Sequence, residues 1–193
     1  MTRQFAAFVM LAALSACGQP AEQAAPGETS APVFRTDADL VAVPLDSIIG
    51  TADGLGTQYI EQISPGGGGL RSEPGPSGPT PTIVAPTPTT FTVTIPANSQ
   101  EFVVMYGMSP ESYTNGGTTK GACFAVAAVE IGGPRELAQR CLTPVETSAD
   151  QGFQEFAVQV PPGVTQFQLQ TTPAAPSGEL TWGWSFWANP RAK

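Results

Sequence analysis

Histidine is absent from this sequence of 193 residues. Its absence removes the commonest general base near neutral pH, the commonest zinc ligand and every arrangement in which imidazole activates a serine or cysteine. The usual hydrolase triads are therefore excluded. Charge is sparse as well: charged residues make up 12% of the chain, with eight lysines and arginines against sixteen aspartates and glutamates, a formal net charge of −8. Such a surface repels nucleic acid and anionic headgroups, so no nucleic-acid partner is expected, and no motif points to a cofactor. No apolar run approaches the roughly eighteen uninterrupted residues that a spanning helix needs. Cysteine is limited to Cys17, Cys123 and Cys141.

What is present begins with a leader. Met1 to Gln4 carry one positive charge, Phe5 to Ala16 form an apolar run, and the run closes with Leu14-Ser15-Ala16-Cys17. Charge, apolar stretch and small-residue exit in that order are the marks of a signal peptide. As a helix the run would rise about 18 Å against a hydrocarbon core of about 30 Å, so it targets the chain and does not span. The tetrad resembles the lipobox of bacterial lipoproteins. That resemblance implies removal of residues 1–16, acylation of Cys17 (palmitate among the chains), and, with Gly18 giving no inner-membrane retention signal, an outer-membrane location facing the periplasm or the cell surface. Several acyl chains anchor stably where one does so only marginally, so the lipid is the expected membrane contact.

Residues 17–32 are rich in Ala, Gln, Glu, Pro and Gly, the composition of a disordered tether. Pro65 to Thr90 hold seven prolines and six glycines, which predicts a solvated spacer. Between them, residues 33–64 carry Leu40-Val41-Ala42-Val43 and Ile48-Ile49, too little to fold alone: the block either docks on the main domain as an extra strand, the favoured reading, or stays disordered until a partner arrives. Asp37, Asp39, Asp46 and Asp53 match no compact calcium loop and read as scattered solvated charge, so no metal is expected.

The domain proper is expected over residues 91–193. Phe91-Thr92-Val93-Thr94-Ile95 and Phe156-Ala157-Val158-Gln159-Val160 alternate apolar and polar with period two. Similar runs lie at Phe102 to Tyr106, Cys123 to Ile131, Leu137 to Thr143, Thr165 to Gln170 and Leu180 to Trp187, bounded by Gly, Pro and Asn turns. Seven short strands with no helical periodicity predict an all-β fold, an antiparallel β-sandwich or jelly roll.

With Cys17 committed to lipid, Cys123 and Cys141 admit one pairing in an oxidising compartment. A hairpin centred on Gly132 sets residues whose numbers sum to 264 opposite each other, and these two cysteines satisfy that register.

The order of residues also resembles the galactose-binding-like jelly rolls of the NPCBM and discoidin kind. The carrying segments are Ile95-Pro96-Ala97 into Phe102 to Met108, Ser112-Tyr113, Gly121 to Val126, Arg140 to Pro144, Asp150 to Phe153, Val158 to Gly163, Leu169 to Pro173, and Trp182-Gly183-Trp184 with Trp187 and Pro190. Two positions depart from the pattern: Leu180-Thr181 stands where an aspartate is usual, and Gln151 where an aromatic often follows the first Asp. They bear on an inherited ligand or metal site and not on the fold.

That resemblance implies a non-catalytic binding module, most often for carbohydrate. A sugar site needs an aromatic face for ring C–H groups and amide, carboxylate or guanidinium groups for hydroxyls. Tyr113, Gln139, Arg140, Asp150, Gln151, Glu179 and Trp187 are the candidates. Alternation assigns Trp182, Trp184 and Phe186 to the core and turns Trp187 the other way. A structural lipoprotein docked on a larger envelope assembly is the second reading, and a carboxylate glycosidase a third, which lacks any convincing pair of acids.

Overall fold

A computed structural model describes residues 34–45, 48–52, 70–178 and 182–193, leaving aside the side chains of 49–52, 70 and 71. Cys17, the tether 17–32, Asp46, Asp53 and Glu179 lie outside the described residues.

Two antiparallel sheets make the sandwich. The first has the order β3 (Leu70–Gly75), β4 (Gly78–Val84), β11 (Ser185–Ala192), β6 (Glu101–Met108) and β9 (Gly152–Gln159), with β1 (Val41–Ala42) also paired to β11. The second has the order β2 (Ile49–Ala52), β5 (Thr89–Thr94), β10 (Gln166–Pro173), β7 (Ala122–Glu130) and β8 (Gly133–Leu142). All-β architecture and antiparallel pairing agree with the alternation in the sequence.

Period-two patterning decides what each strand buries. Phe91 and Val93 of β5, Phe124, Val126 and Ala128 of β7, and Phe167 and Leu169 of β10 form the inner face of the second sheet. Phe102, Val104 and Tyr106 of β6, Trp187 of β11 and Ile83 of β4 answer them from the first. Rings meet across the interface: Phe102 stacks on Phe167 at 4.8 Å, and Tyr106 lies 4.8 Å from Phe124. Each such fully buried side chain stabilises by about 1.5–3 kcal/mol.

Trp187 corrects an expectation. It is 1% exposed, in the central core, while Phe186 packs on the other side of the sheet with Met105, Phe153 and Ala188. Strand β11 begins at Ser185, five residues later than Leu180, so parity counted from Trp182 does not hold through the loop. Trp182, assigned to the core by that parity, is 42% exposed.

The solvated spacer is also corrected. Leu70 to Val84 form a hairpin, β3 and β4, with Gly75 and Gly78 flanking a two-residue turn, and β4 pairs β11 through Thr82, Ile83 and Val84. Pro79 and Pro81 occupy alternate positions of β4, so they remove N–H groups from one edge of the strand and leave the other edge's ladder intact. Composition alone hid this strand because its apolar end, Ile83-Val84-Ala85, is short and follows the prolines.

The segment before it contributes to both sheets. Val41 and Ala42 pair with Ala192 and Arg191, Ile49 to Ala52 pair with β5, and Val43 and Ile48 are buried in the core. Upstream, Phe34 packs on the satellite cluster outside the first sheet. Arg35 donates its backbone N–H to Glu155 and its guanidinium to Glu101 at 2.6 Å, while Arg191 binds Glu155 at 2.8 Å and Lys193 binds Asp37 at 3.0 Å. This strap joins the entry of the domain to its last residues.

The β7–β8 hairpin turns at Ile131-Gly132, with Glu130 opposite Gly133, and Leu137 forms a one-residue bulge. The bulge shifts the register by one, which brings Cys123 opposite Cys141, and a disulfide joins them.

Candidate functional site

A cluster of directed polar groups lies where β8 ends and β9 begins. The connection, residues 143–151, contains a 3-10 turn, Ser148–Asp150. Asp150 organises it: its Oδ2 accepts the backbone N–H of Thr143 at 2.9 Å, closing the loop on itself, and its Oδ1 accepts Arg140 Nη2 at 2.7 Å. Arg140 Nη1 donates to Gln154 Oε1 at 3.0 Å, and Gln154 Nε2 donates to the carbonyl of Ala149 at 3.1 Å. Gln151 Nε2 donates to the carbonyl of Pro144 at 2.9 Å.

Arg140 reaches this place because it is opposite Phe124 in the β7–β8 register and so shares the inner face. On a central strand that position would be core; on the edge strand β8 the guanidinium extends into the gap between the sheets. Gln154, on the edge strand of the other sheet, occupies an inner position opposite Tyr106. The Arg140–Gln154 bond therefore ties the two sheets at their open side. The Asp150 side chain is only 10% exposed and that of Arg140 44%, so a buried carboxylate holds a side chain that solvent partly reaches. Charge-assisted bonds of this kind are stronger than neutral ones and hold the fork in one orientation.

Two tyrosines border the cluster. Tyr113 follows the 3-10 turn Pro110–Ser112, and its hydroxyl accepts the backbone N–H of Gly152 at 3.1 Å. Burial pushes its pKa up, against the lowering effect of that N–H. Burial pushes the Tyr106 hydroxyl up to about 12, with the Arg140 guanidinium beside it acting the other way. Both stay neutral phenols near pH 7.

Of the sequence candidates, Arg140, Asp150 and Gln151 come together, and Tyr113 joins them through Gly152. Gln139 does not: it is opposite Ala125 and lies on the outer face of its sheet. Trp187 is excluded as a ligand platform by its burial, and its indole Nε1 is satisfied inside the core by Thr171 Oγ1 at 2.9 Å. Sequence reasoning missed Thr143, Gln154 and Phe156. A signal for Gln154 was present: it shares parity with Phe156 and Val158, so it is a polar residue on an inward face. Phe156 is half-buried and stacks on Tyr106 at 4.2 Å.

The arrangement offers fixed donors and acceptors beside partly exposed aromatic surface, which is suited to holding hydroxyl groups. Among the described residues, no group of three or more Cys, Asp or Glu side chains is placed to hold a metal ion.

No protein-family model matches the chain, and no curated protein matches it by sequence. Solved structures match by architecture. The M60 catalytic domain with the CBM51-1 and CBM51-2 domains from Clostridium perfringens ZmpB aligns with 78% of this chain at 12% identity and a TM-score of 0.51. The chain spans 15% of that structure's length. CBM51 from Clostridium perfringens GH95, in complex with methyl-galactose, aligns with 64% of the chain, which covers 80% of it, at 10% identity and a TM-score of 0.45. The K3 cleaved adhesin domain of Lys-gingipain from Porphyromonas gingivalis aligns with 78% of the chain, which covers 91% of it, at 13% identity and a TM-score of 0.46. At these identities the likeness is one of fold, the antiparallel β-sandwich.

Proposed function

We propose that this chain is a non-catalytic, lipid-anchored protein of the cell envelope whose sandwich binds carbohydrate at the loops around Arg140, Asp150, Gln151 and Tyr113. The observation that carries the proposal is the partly exposed Arg140 side chain, its guanidinium held by Asp150 and Gln154. Its orientation is set before any ligand arrives, so little ordering remains to oppose binding. Polar groups held in this way read hydroxyl positions, and the half-buried ring of Phe156 lies two positions along the same face. Carbohydrate is the ligand class to test first because the fold is shared with carbohydrate-binding modules, which is an argument from fold analogy.

Anchoring rests on Leu14-Ser15-Ala16-Cys17, and an outer-membrane location facing the periplasm or the cell surface follows from the same motif. Mass spectrometry of the protein from its native host tests it: an acylated N-terminal Cys17 supports the anchor, and an intact leader or an unmodified start refutes it. The binding proposal is tested by a glycan array that includes envelope polysaccharide from the same cells. Retention of at least one glycan by wild type and its loss in Arg140→Gln supports the reading. Co-purification with an envelope protein complex, without glycan retention, favours the accessory role instead.

A further inference from the structure

The cluster around Arg140 is one end of a longer feature. β8 and β9 are edge strands of opposite sheets, and a cleft of about 590 Å³ opens between them, lined by Arg135, Leu137 and Ala138 on one side and Val158, Val160 and Pro161 on the other. Inner positions continue from this cleft along both strands to Arg140 and Gln154, passing Phe156. The Leu137 bulge matters here. Arg135 and Arg140 are an odd number apart and would face opposite ways on a regular strand, yet Arg135 is opposite Ala128 and Arg140 opposite Phe124, both core residues. The bulge thus returns both arginines to the inward parity of one rim, about 14 Å apart along the strand at about 3.4 Å per residue.

The groove is locally neutral. Arg135 is matched by Glu130 at 2.8 Å and Arg140 by Asp150 at 2.7 Å, and the inner positions of β9, Gln154, Phe156 and Val158, carry no charge. The chain as a whole carries −8, a field that disfavours polyanions. Polar groups at both ends, an apolar floor and a stacked aromatic between them fit a chain of sugar rings, whose faces are apolar and whose edges carry hydroxyls.

Resting on the carbohydrate reading above, we propose that the open side of the sandwich between β8 and β9 takes an internal stretch of a neutral polysaccharide lengthwise, from Arg135 to Arg140. The site is a groove for several rings rather than a pocket for one terminal sugar.

The test is calorimetric titration of the full chain with neutral oligomers of glucose, galactose and mannose, monomer through hexamer, beside oligogalacturonate of the same lengths. For at least one neutral series, affinity rises about tenfold or more from monomer to the longer members, about 1.4 kcal/mol. Added salt leaves it unchanged. Leu137→Asp, at a half-buried position on the edge strand β8, removes the gain with length while the chain still unfolds cooperatively. Phe156→Ala does the same, and Phe156→Tyr restores it; where Phe156→Ala unfolds the chain, Leu137→Asp alone decides. A monomer that binds as tightly as the hexamer, or a preference for oligogalacturonate, overturns the groove proposal and leaves carbohydrate binding standing. Failure to bind any glycan, in the titrations and on the array, overturns both.

Discussion

The indole Nε1 of Trp187 donates to Thr171 Oγ1 at 2.9 Å across the middle of the sandwich, and both residues are essentially buried. This bond joins β11 of one sheet to β10 of the other and fixes how the tryptophan sits among Tyr106 and Phe124. Thr171→Val keeps the volume but leaves a buried N–H without its acceptor, which costs about 1–3 kcal/mol. Urea unfolding measures it. Trp187→Ala costs more, about 3–5 kcal/mol, because it also opens a cavity. A Thr171→Val variant as stable as wild type contradicts the bond's structural role.

The Cys123–Cys141 disulfide closes a loop with a sequence separation of 18, worth about 3 kcal/mol in the chain-entropy treatment. Reduction, or the double variant Cys123→Ala with Cys141→Ala, lowers the urea midpoint accordingly. Thiol titration of the denatured, unreduced protein finds neither cysteine free. Two free thiols there contradict the bridge.

Truncation to residues 91–193 removes β1 to β4 and with them Ile83, Val43 and Ile48 from the core. It also strips β5 of its partner β2 and β11 of its partner β4. The shortened chain lacks cooperative thermal unfolding, whereas a chain starting at Phe34 retains it. Circular dichroism on both settles the point, and a sharp transition in the 91–193 chain counts against a structural role for the early strands.

The strap has a pH signature. Asp37, Asp39, Glu101 and Glu155 face Arg35, Arg191 and Lys193. The Lys193 hydrogen bond, aided by its charge, holds the Asp37 carboxyl below the usual range. Its contribution is therefore full above the ordinary aspartate value of about 4 and is lost as the pH falls through the lower folded value. Glu155 runs the other way: burial raises its pKa, so the fold favours its protonated form and its share rises as the pH falls through that value. Protection of the Arg35 amide, corrected for intrinsic exchange, declines at the acid end in wild type. Asp37→Asn lowers the plateau and removes Asp37's part of that decline; an unchanged profile contradicts the linkage.

Much of the architecture was legible because alternation is a local signal. Phe91, Val93 and Ile95 announce their face without reference to anything distant, and the hairpin register placed Cys123 opposite Cys141. That register had a hidden component: the turn is Ile131-Gly132 and not centred on Gly132, and the Leu137 bulge makes up the difference. What failed depended on tertiary partners. The strand at Gly78–Val84 exists because β11 accepts it, and its prolines are tolerated because they spare one edge. Trp182 and Trp187 exchanged roles because parity was carried through a loop, where Trp182 has a φ of +59°. In the candidate site, Arg140, Asp150 and Gln151, named in the sequence by residue type, lie together, while Gln154 shows in the sequence only as a polar residue of inward parity and its place beside Arg140 depends on β9 being an edge strand.

The most direct measurement is a titration of isotope-labelled full chain with the glycan retained on the array, followed by amide and side-chain NMR shifts. Binding at the open side of the sandwich moves Arg140 Nε–H, the Gln151 and Gln154 side-chain amides and the Phe156 ring together, and all saturate at one affinity. Shifts confined to other surfaces, such as the loop at Trp182 or the outer face carrying Gln139, would contradict it.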